Sequence, residues 1–359
     1  MIKILSLTYK DNNAGGPYKV SADHKSILEK SIFYVKLISW QNSFFFYYIF
    51  KKKKIKEFIN KFDVIHCHNL FSFKNLLTIK IAQSLSIPCI MTFHGNLNKW
   101  SMKKNYLIKY FFLTLFKKNI NSFSLIHFLN KSEKIDASKY IQINKVNHII
   151  QQNCIDISQY KIARNNDSVF KILFFGRLDE KKNFLMIPDI ASIFKKNHIN
   201  DVKFIIVGSG TTKNLNKLTN MIKKLKLERF IEIRNPIDTI DQKNALFEEI
   251  DAFILPSNDE ADSVAIKESL ASGKPVIISK ECKLKSDESC QDFIRIINDN
   301  LIQSYYEEII KLYNKRDESK FLSQKIRQYA QANFSMDLIN KKLPTIYLNC
   351  INHTHVLKN

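Results

Sequence analysis

Short apolar runs of strand type recur along the whole chain, with helix-length stretches of mixed polarity between them. In the first half these runs are KILSLTY from Lys3, DVIHCH from Asp63, PCIMTF from Pro88, SLIHFL from Ser124 and HIIQQN from His148. In the second half they are VFKILFFGRL from Val169, VKFIIVGSG from Val202, FIEIRNP from Phe230, DAFILP from Asp251 and KPVIIS from Lys274. Nearly continuous apolar strands separated by helices read as βαβ units, whose parallel strands are covered on both faces. A polar connector from about Cys154 to Asp167 separates two such sets, and helical segments run from about Ile302 to Leu348. The pattern therefore predicts an α/β protein with two doubly wound, Rossmann-like domains, residues 1–160 and 168–335, followed by a helix and tail at 336–359.

Composition adds one sharp feature. The 359 residues hold only seven glycines, where average usage would place roughly 25. They are Gly15, Gly16, Gly95, Gly176, Gly208, Gly210 and Gly273, and four of the segments holding them directly follow an apolar run. Glycine thus survives where a side chain is excluded, and those places coincide with the ends of parallel strands, where open α/β sheets bind ligands.

The formal charge of +22 is unevenly held. Residues 1–163 carry 25 Lys or Arg against 8 Asp or Glu, a balance of +17, and residues 164–359 carry 31 against 26, a balance of +5. An excess confined to one half implies an anionic surface as partner. Nucleic acid is the weaker candidate, because no helix-turn-helix, zinc-finger or ribonucleoprotein signature accompanies the charge. Residues 43–56, with Lys51, Lys52, Lys53 and Lys54, and residues 102–118, with Lys103 and Lys104, set aromatics beside lysines as helices lying in a membrane interface do. The uncharged stretch from Leu37 to Phe50 is too short and too polar to span a bilayer. Six scattered cysteines without a CxxC pair, and a charged start without a secretory h-region, point to a reduced, cytoplasmic protein at the inner face of a membrane.

Chemistry concentrates in two segments of the second half. In LPSNDEADSVAIKESLASGKPVIIS, residues 255–279, Glu260 lies in a polar loop and Glu268 one to two turns into the helix that follows. Helix starts favour phosphate oxygens, so carboxylates placed there suit sugar or ribose hydroxyls. In GRLDEKKN, Arg177 and Lys182 follow the strand end at Gly176 and offer a clamp for a diphosphate. His66-Cys67-His68 places two imidazoles on one strand face with the thiol opposite, and no spacing supplies further metal ligands.

Together these residues resemble the retaining glycosyltransferases of the GT-B fold, most closely glycosyltransferase family 4. The matching elements are Gly15-Gly16 in a first turn, the DVIHCH strand, Thr92-x-His94-Gly95, the linker Asn153-Cys154-Ile155-Asp156, G-R-L-x-x-x-K from Gly176, Gly208-x-Gly210, and Glu260-x7-Glu268 ending in G-x-P-V. The resemblance implies two domains facing each other across a cleft and a C-terminal helix returning to the first domain. It implies that Arg177 and Lys182 bind the donor diphosphate, Glu268 the ribose and Glu260 the transferred sugar. By the same resemblance Gly15, Gly16, Gly208, Gly210 and Ser263 line the donor site, and His94 approaches the donor sugar from the opposite domain. No obligate metal or cofactor is expected. The implied reaction moves a sugar from a nucleotide-diphosphate sugar to a lipid-linked or oligosaccharide acceptor in bacterial surface polysaccharide assembly, O antigen or capsule. A nucleotide-sugar epimerase and a non-catalytic sugar- or membrane-binding protein are the alternatives. Three positions depart from the family pattern: Ala261-Asp262-Ser263 replaces G-F-G, Cys154 the linker glycine, and Asn183 the glycine after the lysine.

Overall fold

The computed structural model describes residues 1–8, 16–39, 52–120, 122–162, 167–316 and 319–356. It divides into two compact units, Met1–Cys154 with Met336–Asn359, and Ile155–Ser335. Ile155, Ile157 and Tyr160, expected at the end of the first domain, pack in the core of the second unit.

The first unit holds six strands: β1 (Ile2–Thr8), β2 (Phe33–Ser39), β3 (Val64–His68), β4 (Cys89–Thr92), β5 (Leu125–Phe128) and β6 (His148–Ile150). They form one parallel sheet in the order β2-β1-β3-β4-β5-β6. Its helices are α1 (Gly16–Leu28), α2 (Lys52–Ile59), α3 (Phe73–Ser84), α4 (Lys99–Lys103), α5 (Tyr106–Ile120) and α6 (Lys131–Ser138), with α13 (Asp337–Asn340) and α14 (Lys342–Val356) after the second unit. Strand β3 is buried at every position because it lies inside the sheet with helices on both faces. One core joins Ile55, Ile79 and Phe112 of α2, α3 and α5. The other joins Ile4, Ile27, Leu343 and Tyr347, so α14 packs with α1 against the sheet. Cys154 is buried in this second core, which accounts for an apolar side chain where the family pattern has glycine.

The second unit repeats the design with β7 (Phe170–Phe175), β8 (Val202–Val207), β9 (Ile231–Arg234), β10 (Ala252–Leu255), β11 (Val276–Ser279) and β12 (Ile294–Ile297). The order is β12-β11-β10-β7-β8-β9, again parallel. The helices are α7 (Met186–Lys196), α8 (Thr212–Leu225), α9 (Ile240–Glu248), α10 (Val264–Ala271), α11 (Ile302–Asn314) and α12 (Ser319–Phe334).

Two strands escape the hydrophobic pattern, β2 and β12, and both are edges. In β2 Phe33 and Val35 are buried while Tyr34 is exposed, the alternation of a strand with one neighbour. Its end, Leu37–Ser39, belongs to the stretch singled out as aromatic and uncharged; residues 40–51 lie outside the described residues, Lys51 among them. Residues 102–118 form parts of two helices rather than one, broken at Asn105, which has φ 55°.

Candidate active site

At the C-terminal ends of the second unit's strands, lysines and carboxylates interlock. Gly176 directly follows β7, and the turn it opens runs over the end of β8. Gly176 N–H donates to Val207 O and Leu178 N–H to Ser209 O. A Cβ on Gly208 would lie 1.8 Å from Gly176 O, so glycine is required there by close approach of two backbones. The turn presents Arg177, which is 58% exposed and pairs loosely with Asp179 at 3.4 Å. Lys182 reaches Glu260 at 2.6 Å, and the Ser257 hydroxyl donates to the same carboxylate at 2.7 Å. Asp259 is held by Lys181 at 3.0 Å and Lys283 at 2.7 Å.

The backbone fixes this loop to its neighbours. Asn258 N–H donates to Lys181 O and Glu260 N–H to Glu281 O, so the acids of one loop face the lysines of two others. Burial by itself would raise the Glu260 carboxyl, but the Lys182 and Lys181 ammoniums outweigh it and hold it below the ordinary range. Asp259 is likewise lowered, burial being overcome by Lys181 and Lys283. Both acids are therefore anionic at neutral pH. The arrangement offers hydroxyl-binding carboxylates and exposed guanidinium donors within one set of loops.

Helix α10 supplies the second glutamate. Glu268 is 2% exposed, and its Oε1 accepts from Tyr160 Oη at 2.8 Å and Lys243 Nζ at 2.7 Å. Ser263 caps α10 without a side-chain bond to the helix amides. Asp262 pairs with Lys267 at 2.5 Å, and the lysine side chain is only 1% exposed.

The first unit gathers different chemistry at its strand ends. Five histidines from four elements meet there: His24 of α1, His66 and His68 of β3, His94 after β4, and His127 of β5. One chain of hydrogen bonds has its proton positions dictated by a carbonyl. Gln151 O accepts from His127 Nε2 at 2.7 Å, so neutral His127 accepts from the Thr92 hydroxyl through Nδ1 at 3.1 Å. Thr92 then accepts from His66 Nε2 at 2.8 Å, and His66 Nδ1 accepts from the Tyr347 hydroxyl at 2.6 Å. His68 Nδ1 and His94 Nε2 share a separate bond of 2.8 Å. Burial, with the mutual repulsion of the cluster, keeps the imidazoles neutral: His24 and His94 fall to about 3, His127 to about 4, and His66 and His68 lie well below the usual value. His94 itself is half-buried at φ 51°, followed by Gly95 at φ 76°, whose N–H donates to Glu133 at 2.5 Å.

A family model described as Glycosyl transferases group 1 matches residues 158–331, and one described as Glycosyltransferase Family 4 matches residues 17–159. The two models together span residues 17–331, and this chain is a glycosyltransferase. An Escherichia coli protein named UDP-Gal:alpha-D-GlcNAc-diphosphoundecaprenol alpha-1,3-galactosyltransferase is 25% identical over 312 residues, 81% of this chain and 76% of that protein. The O-antigen biosynthesis glycosyltransferase WclY of Escherichia coli is 23% identical over 321 residues, 83% of this chain and 82% of that protein. Anabaena HepE, solved with UDP-glucose, superposes with a TM-score of 0.77 at 16% identity, covering 97% of this chain and all of that one. The fold is GT-B.

Placed in the glycosyltransferase framework, the site residues fall into groups. Arg177, Lys182, Glu260 and Gly176 lie on the strand-end loops of the second unit, with Ser263 and Glu268 on or beside α10. Gly210 meets Leu178 and Gly208 meets Gly176, so both hold the turn that carries Arg177. Gly16 opens α1, where a Cβ would meet nothing within 4 Å; the expectation that every glycine marks an excluded side chain fails there. Gly15 lies outside the described residues. Asn183 adopts φ 50°, the left-handed conformation that replaces the glycine of the pattern. The carboxylate of Asp262, one of the departures, is taken up by Lys267 five residues on. Sequence reasoning missed Lys181, Lys283, Lys243 and Tyr160. Only Lys181, adjacent to Lys182, had a local signal.

Proposed function

We propose that this glycosyltransferase moves a sugar, with retention of anomeric configuration, from a nucleoside-diphosphate sugar to a hydroxyl of a lipid-linked saccharide during assembly of a bacterial surface polysaccharide such as O antigen or capsule. The observation that carries this reading is the loop cluster of the second unit, where exposed Arg177 stands near Lys182 paired to the buried, anionic Glu260. Arg177 and Lys182 receive the diphosphate, and Glu260 accepts hydrogen bonds from the sugar hydroxyls. The bond from the anomeric carbon to the diphosphate oxygen breaks, the bond to the acceptor oxygen forms, and the acceptor proton passes to the departing phosphate. Charge on that leaving group is met by the two cations, with no metal required. The acceptor in the name of the galactosyltransferase relative, a polyprenyl diphosphate carrying GlcNAc, supports the acceptor class, and WclY supports the process.

A panel of UDP, GDP, ADP and dTDP read by thermal unfolding identifies the nucleotide, since a ligand at about 100 times its Kd adds about 2.7 kcal/mol. Arg177→Ala weakens binding of that nucleotide about tenfold or more by calorimetry, removing charge-assisted donors. Glu260→Gln leaves nucleotide affinity near wild type and lowers sugar transfer about 100-fold, about 2.7 kcal/mol in the transition state. Release of free sugar without an acceptor would establish the epimerase instead, and binding without turnover the non-catalytic protein. Unaltered nucleotide affinity in Arg177→Ala overturns the site.

A further inference from the structure

Helix α5 exposes large apolar side chains in a run that a soluble surface does not ordinarily carry. Tyr106 is 47% exposed, Leu107 79%, Ile108 67%, Tyr110 55% and Phe111 65%. The opposite side of the same helix, through Phe112, Leu113 and Ile120, is anchored in the first unit's core. The helix is thus packed on one side through Phe112, Leu113 and Ile120, and apolar on the exposed side between Tyr106 and Phe111. Single exposed hydrophobics need no explanation, but five within six residues form a patch of the kind that marks an interaction surface.

The surroundings of that patch choose its partner. Lys103 and Lys104 are exposed just before the helix and Lys117 within it. Helix α3 packs against α5, and α2 against α3. Helix α2 brings exposed Lys53, Lys54 and Lys56 to the same layer, and Phe73 at the start of α3 is also exposed. Between Asp63 and Glu133 the sequence contains no Asp or Glu at all, and nine lysines. A second copy of the chain set on this face by a two-fold axis would bring lysine against lysine with no acid from this segment to answer. Apolar rings and chains flanked by lysines, with Glu57 of α2 the one acid in these three helices, match a surface that is anionic outside and hydrocarbon within. Among the described residues no helix is long and apolar enough to cross a membrane, so the contact is with its surface.

We infer that the outer face of α5 docks on an anionic lipid bilayer, with Leu107, Ile108 and Phe111 entering the interface and Lys103, Lys104 and Lys117 at the headgroups. This deepens the lipid-linked acceptor reading and rests on it for its purpose, since a sugar acceptor held by a polyprenyl chain is reached only at the membrane. The contact places the first unit against the bilayer.

The test is flotation of the full-length chain with vesicles of phosphatidylcholine alone and with vesicles that also contain phosphatidylglycerol. Wild type should float with the anionic vesicles, and less as salt rises, because exposed charges are screened within about 8 Å at physiological ionic strength. Leu107→Ser with Phe111→Ser should abolish flotation at every salt concentration. Lys103→Gln with Lys104→Gln should weaken it about tenfold or more at physiological salt, at about 1 kcal/mol for each lysine near the surface. The two serines replace exposed side chains, so unfolding temperature and nucleotide affinity should match wild type, which separates lost docking from lost folding. Wild type that stays in solution with both vesicles overturns the inference, as does a serine variant that floats like wild type. So does sedimentation showing a dimer that the serine variant dissolves without any flotation. If wild type floats but transfers no sugar to any acceptor, the docking surface stands and the proposed reaction fails.

Discussion

Each unit carries a six-stranded parallel sheet, and the strand ends of the two hold opposite chemistry. In the first, the strand ends hold buried histidines kept neutral by their surroundings, bonded through hydroxyls to a carbonyl. In the second, the corresponding ends hold lysine–carboxylate pairs that stay ionised. A parallel sheet with helices on both faces leaves only its loop edge for polar groups, and what is placed there depends on local solvation and charge. The contrast extends to the outer surfaces. Helices α3 and α5 of the first unit lie in an interval with no acid between Asp63 and Glu133, whereas salt bridges such as Arg234 with Glu249 and Lys203 with Glu232 dress the second unit. One fold thus serves as a neutral, basic-surfaced half and a zwitterionic half.

Acid separates the two units most strongly. A histidine whose folded value lies near 3 or 4 takes up its proton far more readily when unfolded, at the ordinary value of 6.5, so its neutral form stabilises the fold above 6.5 and that stability is lost as pH falls. For His24 and His127 the loss at pH 5 is about 2 kcal/mol each. Glu260 and Asp259 have lowered values, so their contribution is intact above the ordinary carboxylate range and is lost only below it, as pH falls through the folded value. Between pH 6.5 and 4.5 the first unit should therefore weaken while the second does not. Both tryptophans, Trp40 and Trp100, belong to the first unit, so their fluorescence in urea titrations reads that half alone. A urea midpoint for that signal independent of pH across this window would remove the comparison.

The second test breaks one ion pair. Lys267→Met leaves the Asp262 carboxylate without its cation and should destabilise the second unit by about 3–5 kcal/mol, as loss of one partner of a buried pair does. Asp262→Asn combined with Lys267→Met should recover most of that loss, measured by urea unfolding of all four proteins of the cycle. Additive losses in the double variant would show that Asp262 and Lys267 are not energetically coupled.

The smallest effect sharpens the neutral chain in the first unit. Tyr347→Phe removes the hydroxyl donated to His66 Nδ1 and should cost about 1–3 kcal/mol, the penalty of an unpaired buried acceptor, while sugar-nucleotide binding stays unchanged. Nuclear magnetic resonance of the imidazole nitrogens should show His66 and His127 both as the Nε2–H tautomer in wild type. Either histidine found in the other tautomer would contradict the proton order read from Gln151.

Ten of the twelve strands among the described residues were legible as apolar runs, eight because central strands covered on both faces need uninterrupted hydrophobic sequence and the edge strands β6 and β9 through short runs of isoleucine. The two that were not, FYVKLIS and IRII, are edge strands, where one open side admits Lys36 and Arg295 and blurs the run. Arg177, Lys182, Glu260 and Glu268 were legible because a few residues around each form one short motif. Lys283, Lys243 and Tyr160 were not, since each reaches its carboxylate from a separate element far along the chain.

The sequence by itself determined the two α/β halves, the glycosyltransferase resemblance, the unequal charge and the segments that hold the candidate site residues, because each is written in short-range pattern or in counts. Tertiary structure alone decided which charges meet. It set Asp262 on Lys267, gathered five histidines from four elements into one neutral cluster, and turned a run of aromatic residues into a helix with one buried and one exposed apolar face. The reason is common to all three: burial and partner choice depend on which distant segments the sheet order brings together, and no local spacing encodes that order.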